Sequence, residues 1–166
     1  MTPPKLTTCL WFDDQALPAA EHYTSIFPDS SIEHVQHYPS VGQEVHGKPA
    51  GSVQLVSFSI SGKPFVALNG GPNFKHSEAV SFMVDCKDQG EVDYYWDKLG
   101  EGGDEKKQVC GWLADKFGIS WQVVPKQLME WMKSEDRERA NRVMSAFMKM
   151  KKFDLETLRK AFEGEE

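Results

Sequence analysis

Asp13 and Asp14 are neighbouring carboxylates at the end of an apolar run, a pattern that could serve acid–base chemistry. Asp85 holds the equivalent place in a second run, 72 residues after Asp13. Acids at both strand-to-helix turns read as structural caps rather than as a reacting pair. Cys9 could be a nucleophile, but a catalytic thiolate needs a base beside it, and the sequence names none. His34 and His37 are three apart on an expected strand, so they face opposite sides and cannot chelate together. His76 lies in a loop near the mouth of the expected cavity and reads as a solvated loop histidine. Lys149, Lys151 and Lys152 read as a solvated helix face. Cys9, Cys86 and Cys110 form no CxxC pair and leave one thiol over, which points to reduced cysteines and the cytoplasm.

A binding face is better supported than a reacting group. Strand alternation puts Thr7, Cys9 and Trp11 on one side, and Ala79, Ser81 and Met83 on the equivalent side of the second run. Ser120 and Gln122 share a face of the last expected strand, whereas Phe82 and Trp121 point under the helices. Aromatic and sulfur groups with a few neutral polar ones suit a flat or partly apolar small molecule. Thr7, Cys9, Trp11, Asn69, Ser81, Met83 and Gln122 are the expected ligand contacts. The alternative is that these residues close the cavity as ordinary core. No catalytic residue is named.

The elements that must position these residues are written twice. Thr8 to Asp13 matches Val80 to Asp85, and Ala20 to Tyr23 matches Val92 to Tyr95, both at a step of 72. Ser61 to Leu68 resembles Phe117 to Val124 at a step of 56, taken from Gly62 and Gly118. Each copy reads as strand, helix and hairpin. The first copy is longer, and residues 39–50 are its expected insertion. In the first copy, strands are expected over 6–12, 31–38, 52–60 and 65–69, with a helix over 17–27. In the second, strands are expected over 79–86, 109–114 and 119–124, with a helix over 91–99 and a short extra strand within 103–108. From Pro125 onward the period becomes helical, with Ser134 and Asp154 at N-cap positions. Five of the seven methionines lie in this tail. These elements give an α+β chain of two βαβββ modules, residues 1–125 with copies at about 6–69 and 78–125, then a helical extension over 126–166.

Hydrophobic content of 40% and charged content of 27% describe an ordinary globular chain. A net charge of −6 argues against general nucleic-acid binding, which draws on a basic surface. No apolar stretch approaches the roughly 20 residues of a membrane span, and the first residues carry no signal-peptide core.

A βαβββ unit written twice resembles the vicinal oxygen chelate superfamily of glyoxalase I, bleomycin-resistance proteins and extradiol dioxygenases. Leu10 to Ala16, Tyr23 to Pro28, Ala67 to Pro72 and Ser120 to Pro125 are similar to its PhnB-like branch, as is the stretch Met148 to Leu155. That branch often carries the label 3-demethylubiquinone-9 3-methyltransferase. The resemblance runs from about Thr7 to Ala161. It implies a barrel cavity, commonly a homodimer, and in metal-binding members one ligand on the first and last strand of each copy. Those positions here are Thr7, Val66, Ala79 and Gln122, which cannot build the usual site. The expectation is a barrel without a metal or other cofactor, binding a small molecule. The alternative is an enzyme: the methyltransferase of the label, or a metal-dependent lyase or dioxygenase. Methyl transfer would ordinarily use a glycine-rich turn that opens a helix, and Asn69-Gly70-Gly71-Pro72 shows no helix signal behind it.

Overall fold

Leu10 and Phe12 alternate with Cys9 and Trp11, and this period of two makes Thr8–Phe12 a strand (β1) with one covered and one open face. The computed structural model describes residues 5–165. The chain forms two units, one ending at Lys75 and the other starting at His76.

In the first unit, β1 is followed by α1 (Ala16–Ile26), β2 (Ser31–His37), a short helix α2 (Gln43–His46), β3 (Val53–Ile60) and β4 (Lys63–Asn69). The strands form one sheet in the order β1-β4-β3-β2, with β1 parallel to β4 and the other neighbours antiparallel. Helix α1 presents Ala16, Ala19, Ala20, Tyr23 and Ile26 to the covered face of the sheet. The three alanines let the helix sit close. Tyr23 then stacks on Phe58 with ring centroids 6.5 Å apart. Burying a side chain the size of Phe58 contributes about 1.5–3 kcal/mol. The β3–β4 hairpin turns on Ser61 and Gly62, both at positive φ (48° and 72°), as a two-residue turn matched to strand twist requires. The expected insertion is where α2 lies.

The second unit holds β5 (Ser81–Cys86), α3 (Gln89–Gly100), β6 (Trp112–Ala114), β7 (Ser120–Pro125), α4 (Lys126–Met132), α5 (Arg137–Phe147) and α6 (Leu155–Glu163). Its sheet runs β5-β7-β6, with β5 parallel to β7. The repeat is therefore visible as one connection made twice: a strand, a helix, and a hairpin whose second strand returns parallel to the first. The extra strand expected within 103–108 does not form. Glu105–Lys107 is a 3-10 turn, with Asp104 Oδ1 accepting from the Lys106 amide at 3.0 Å. That run is charged throughout and offers no apolar face to a sheet.

The step of 56 between the last strands also needs correction. Cys9 pairs with Val66, and Ser81 pairs with Ser120. Holding β1 and β5 at a step of 72 relates β4 to β7 by 54, so Gln122 corresponds to Leu68 and not to Val66. The cause is the turn. Two residues join β3 to β4, but residues 115–119 join β6 to β7. Asp115 organises the longer loop, its Oδ1 accepting from Phe117 N (2.9 Å) and Ile119 N (3.0 Å) and its Oδ2 from Trp121 Nε1 (2.8 Å).

The helix caps also differ from expectation. The Ala16 amide at the start of α1 donates to Asn69 Oδ1 at 2.8 Å, and no side chain caps from Gln15. Asp88 caps α3, accepting from Glu91 N at 2.9 Å, while Asp85 is an exposed strand residue opposite Val124. Asp136, not Ser134, caps α5. Asp154 caps α6 as expected, accepting from Thr157 N at 2.7 Å. The three C-terminal helices bury Leu128, Val143, Phe153 and Leu158 together with Val124 of β7. They share the core of the second unit. Among the described residues no helix is long and apolar enough to cross a membrane.

Candidate functional site

The first sheet covers one face with helix and leaves the other partly open, whereas on the second sheet Met83 and Gln122 are accessible but Ala114, Ser120 and Val124 of the same face are buried. On the first sheet, strand register places two rows of the open face beside Trp11. One runs Cys9, Val66, Ser57, His34, and the other Trp11, Leu68, Leu55, Gln36. On the second sheet the rows are Ser81, Ser120, Ala114, then Met83, Gln122, Trp112, then Asp85 and Val124. Cys9 and Trp11 thus share one face of the first sheet, and Ser81 and Met83 one face of the second. Phe82 and Trp121 lie on the covered side, 5.3 Å apart.

Trp11 is the best-defined group. Its Nε1–H donates to the Gly71 carbonyl at 2.8 Å. Phe74 meets it edge-on, with centroids 4.9 Å apart and an interplanar angle of 79°. Gly70 lies directly under the ring, and a β-carbon there would fall inside the indole. The indole is held by hydrogen bond, ring edge and backbone, yet it stays half-buried. The glycine pair after β4 is therefore the floor and acceptor for this ring. Pro72 and Asn73 form a turn behind it, with no helix. The pair thus lacks the arrangement of a nucleotide-binding turn, which opens a helix.

Lys48, from the segment after α2, also reaches this loop. Its Nζ donates to the Asp13 carbonyl at 3.0 Å and stands 3.5 Å from the Asp13 carboxylate. Beside it, His46 Nδ1 accepts from the Lys48 amide at 3.0 Å, and the His46 ring stacks on Tyr38 at 4.5 Å. Sequence reasoning missed Gly70, Gly71, Phe74 and Lys48. Phe74 stands alone in a polar loop, and the glycine pair reads as a plain chain reversal. The one available signal was two glycines at the C-terminal end of a strand parallel to the one carrying Trp11.

Of the other expected contacts, Thr7 is exposed just before β1. Cys9 is exposed, and the partial burial of its thiol raises the pKa, keeping it protonated at neutral pH. Met83 is 51% exposed. Gln122 is half-buried and its Nε2 donates to Ser81 Oγ at 2.9 Å. Trp112, beside Gln122, was not anticipated. Ser120 Oγ is buried with no hydrogen-bond partner. Asn69 is set apart from the group. It is 5% exposed on the covered side, with Oδ1 taken by the Ala16 amide and Nδ2 donating to Val53 O at 3.1 Å. Cys86 is buried, and burial with nearby acids pushes its thiol to about 12, so it is inert. His76 is half-buried in the loop before β5.

Among the described residues no three His, Cys, Asp or Glu side chains converge on a point suited to a metal ion. Thr7, Val66, Ala79 and Gln122, with Leu68 at the corrected register, supply no imidazole, carboxylate or thiolate. This donor set does not fit a resident divalent metal.

A family model for 3-demethylubiquinone-9 3-methyltransferase matches residues 4–124. Among solved structures, a PhnB protein from Bacillus cereus is 30% identical, with a TM-score of 0.64 over 74% of this chain and 99% of its own. The fosfomycin resistance protein FosX from Listeria monocytogenes is 16% identical, with a TM-score of 0.53 over 81% of this chain and 100% of its own, and shares the fold. A comparison with curated proteins gives no match. The matched residues hold both sheets and the glycine loop under Trp11, and the chain belongs to the PhnB-like, 3-demethylubiquinone-9 3-methyltransferase family of the vicinal oxygen chelate superfamily.

Proposed function

We propose that the chain binds a small, partly apolar molecule on the open face of its first sheet, without a resident metal, as a cytoplasmic homodimer. Trp11 supplies a flat wall. In the second unit, taken by itself, Gln122 is steadied by Ser81 and offers an oriented donor and acceptor of its own. The observation that carries the reading is the indole of Trp11, fixed by Gly71, Gly70 and Phe74 yet half-exposed. A ring held this firmly with a face left over costs little ordering entropy on binding, which is what pre-organisation contributes to affinity.

Saturation-transfer NMR against a small-molecule library tests it. Hits are expected with the native chain and lost with Trp11→Ala, whose circular dichroism stays native. If Trp11→Ala unfolds the protein, the residue is core and the assignment fails. Stoichiometric zinc, nickel, iron or manganese in the purified protein would overturn the metal-free part. Saturable micromolar heat on titrating S-adenosylmethionine would favour methyl transfer instead.

A further inference from the structure

We infer that the molecule taken up against Trp11 is an uncharged aromatic ring carrying a neutral polar substituent; this rests on the binding role proposed above. The Cys9 and Trp11 rows of the first sheet's open face contain no carboxylate, ammonium or guanidinium group, and the carboxylate nearest to them in the ladder, Glu33, sits exposed in the β2 bulge beside His34 on the far edge strand. Their one imidazole, His34, stands on the edge strand β2, three strands from Cys9. The nearby cation Lys48 is matched by the carbonyl and carboxylate of Asp13. A charged ligand laid on this face would shed water and find no opposite charge, a far larger cost than any apolar gain. A neutral ring loses little and gains contact with the indole, whose own polar N–H is already engaged by Gly71. The hydrogen-bonding groups that the rows do offer, such as the Ser57 hydroxyl and the Cys9 thiol, are neutral and suit a hydroxyl, carbonyl or amide. On the second sheet the Ser81 and Met83 rows are neutral, but Asp85 stands exposed on the same face opposite Val124 and Ser120 is buried, so the ring is placed on the first sheet.

The experiment is calorimetry with three probes sharing one ring system: 2-naphthol, 2-naphthoate and the 2-naphthylmethylammonium ion. At neutral pH, 2-naphthol is expected to bind saturably and each ion at least about tenfold more weakly. Trp11→Ala should abolish the 2-naphthol heat. Leu68→Lys, at a half-exposed position in the Trp11 row, should reverse the preference in favour of 2-naphthoate. An ion binding as tightly as 2-naphthol overturns the uncharged-ligand inference and leaves the binding role standing. An unchanged preference in Leu68→Lys overturns the placement of the ring on this row. If none of the three probes binds the native chain saturably, the binding role falls and the inference with it.

Discussion

The indole of Trp11 owes its position to Gly71, 60 residues further along the chain. Its tightest neighbour has no side chain at all. Gly70→Ala is therefore expected to displace the ring and to cost about 1–3 kcal/mol, as overpacking does. Urea unfolding gives the cost, and near-UV circular dichroism reports the displaced indole. Unchanged spectra and stability would mean the loop yields and does not hold the ring. Asn69 is a different kind of residue. It joins the first turn of α1 to β3 through both ends of its amide, and its backbone carbonyl accepts from Tyr38 Oη at 2.7 Å. Asn69→Ala leaves a buried amide and a buried carbonyl without those partners. A loss of about 1–3 kcal/mol is expected, with ligand binding retained in the surviving folded fraction.

At the scale of elements, the segment leading into α6 is anchored by carboxylates. Asp154 lies below the usual carboxylate range because Thr157 hydrogen-bonds it. Asp93 is lowered first by its bond with Lys152, 2.7 Å away, and then by Gln89. Both folded pKa values are depressed, so this stabilisation is present above the unfolded value of 3.8 and is lost as the pH falls through the folded values. Urea stability should therefore decline on acidification from about pH 4 downward. Asp93→Asn and Asp154→Asn should each flatten that decline. The change from Asp93 will be small, because the pair is substantially exposed. A slope identical in both variants would show that other acids control the acid limb.

At the scale of the molecule, the C-terminal helices complete the second unit's core and are not an ornament on it. Phe153 seats against Gly111, its ring occupying the place a β-carbon would take there, and the amides of Cys110 and Gly111 bond Met150 O and Lys151 O at 2.8 Å. A chain ended after Pro125 would uncover Val124, leaving an apolar strand residue without its partners. Heteronuclear NMR of that shortened chain is expected to show collapsed dispersion for residues 76–125. Native dispersion there would make the helices dispensable. The proposed homodimer is a separate matter. The edge strands of the first sheet are β1 and β2, and edges invite pairing. Sedimentation at micromolar concentration should give twice the chain mass, and a monomer that persists on concentration would refute it.

Local order was legible in the residues themselves. The alternation of Leu10 and Phe12 with Cys9 and Trp11, the helical period after Pro125 and the Asp154 cap each span a few residues, and short-range sterics and burial set them. The repeat at a step of 72 was legible too, because like strands need like apolar patterns. Tertiary structure alone decided what depends on two distant strands lying side by side in one register. The parallel ladder between β1 and β4 brings Gly70 and Gly71 to Trp11, turns Asn69 into the cap of α1, and sets Leu68, not Val66, as the counterpart of Gln122. No local pattern encodes these meetings. They follow from turn length and ladder register, since a slip of one residue carries every side chain of a strand to the opposite face.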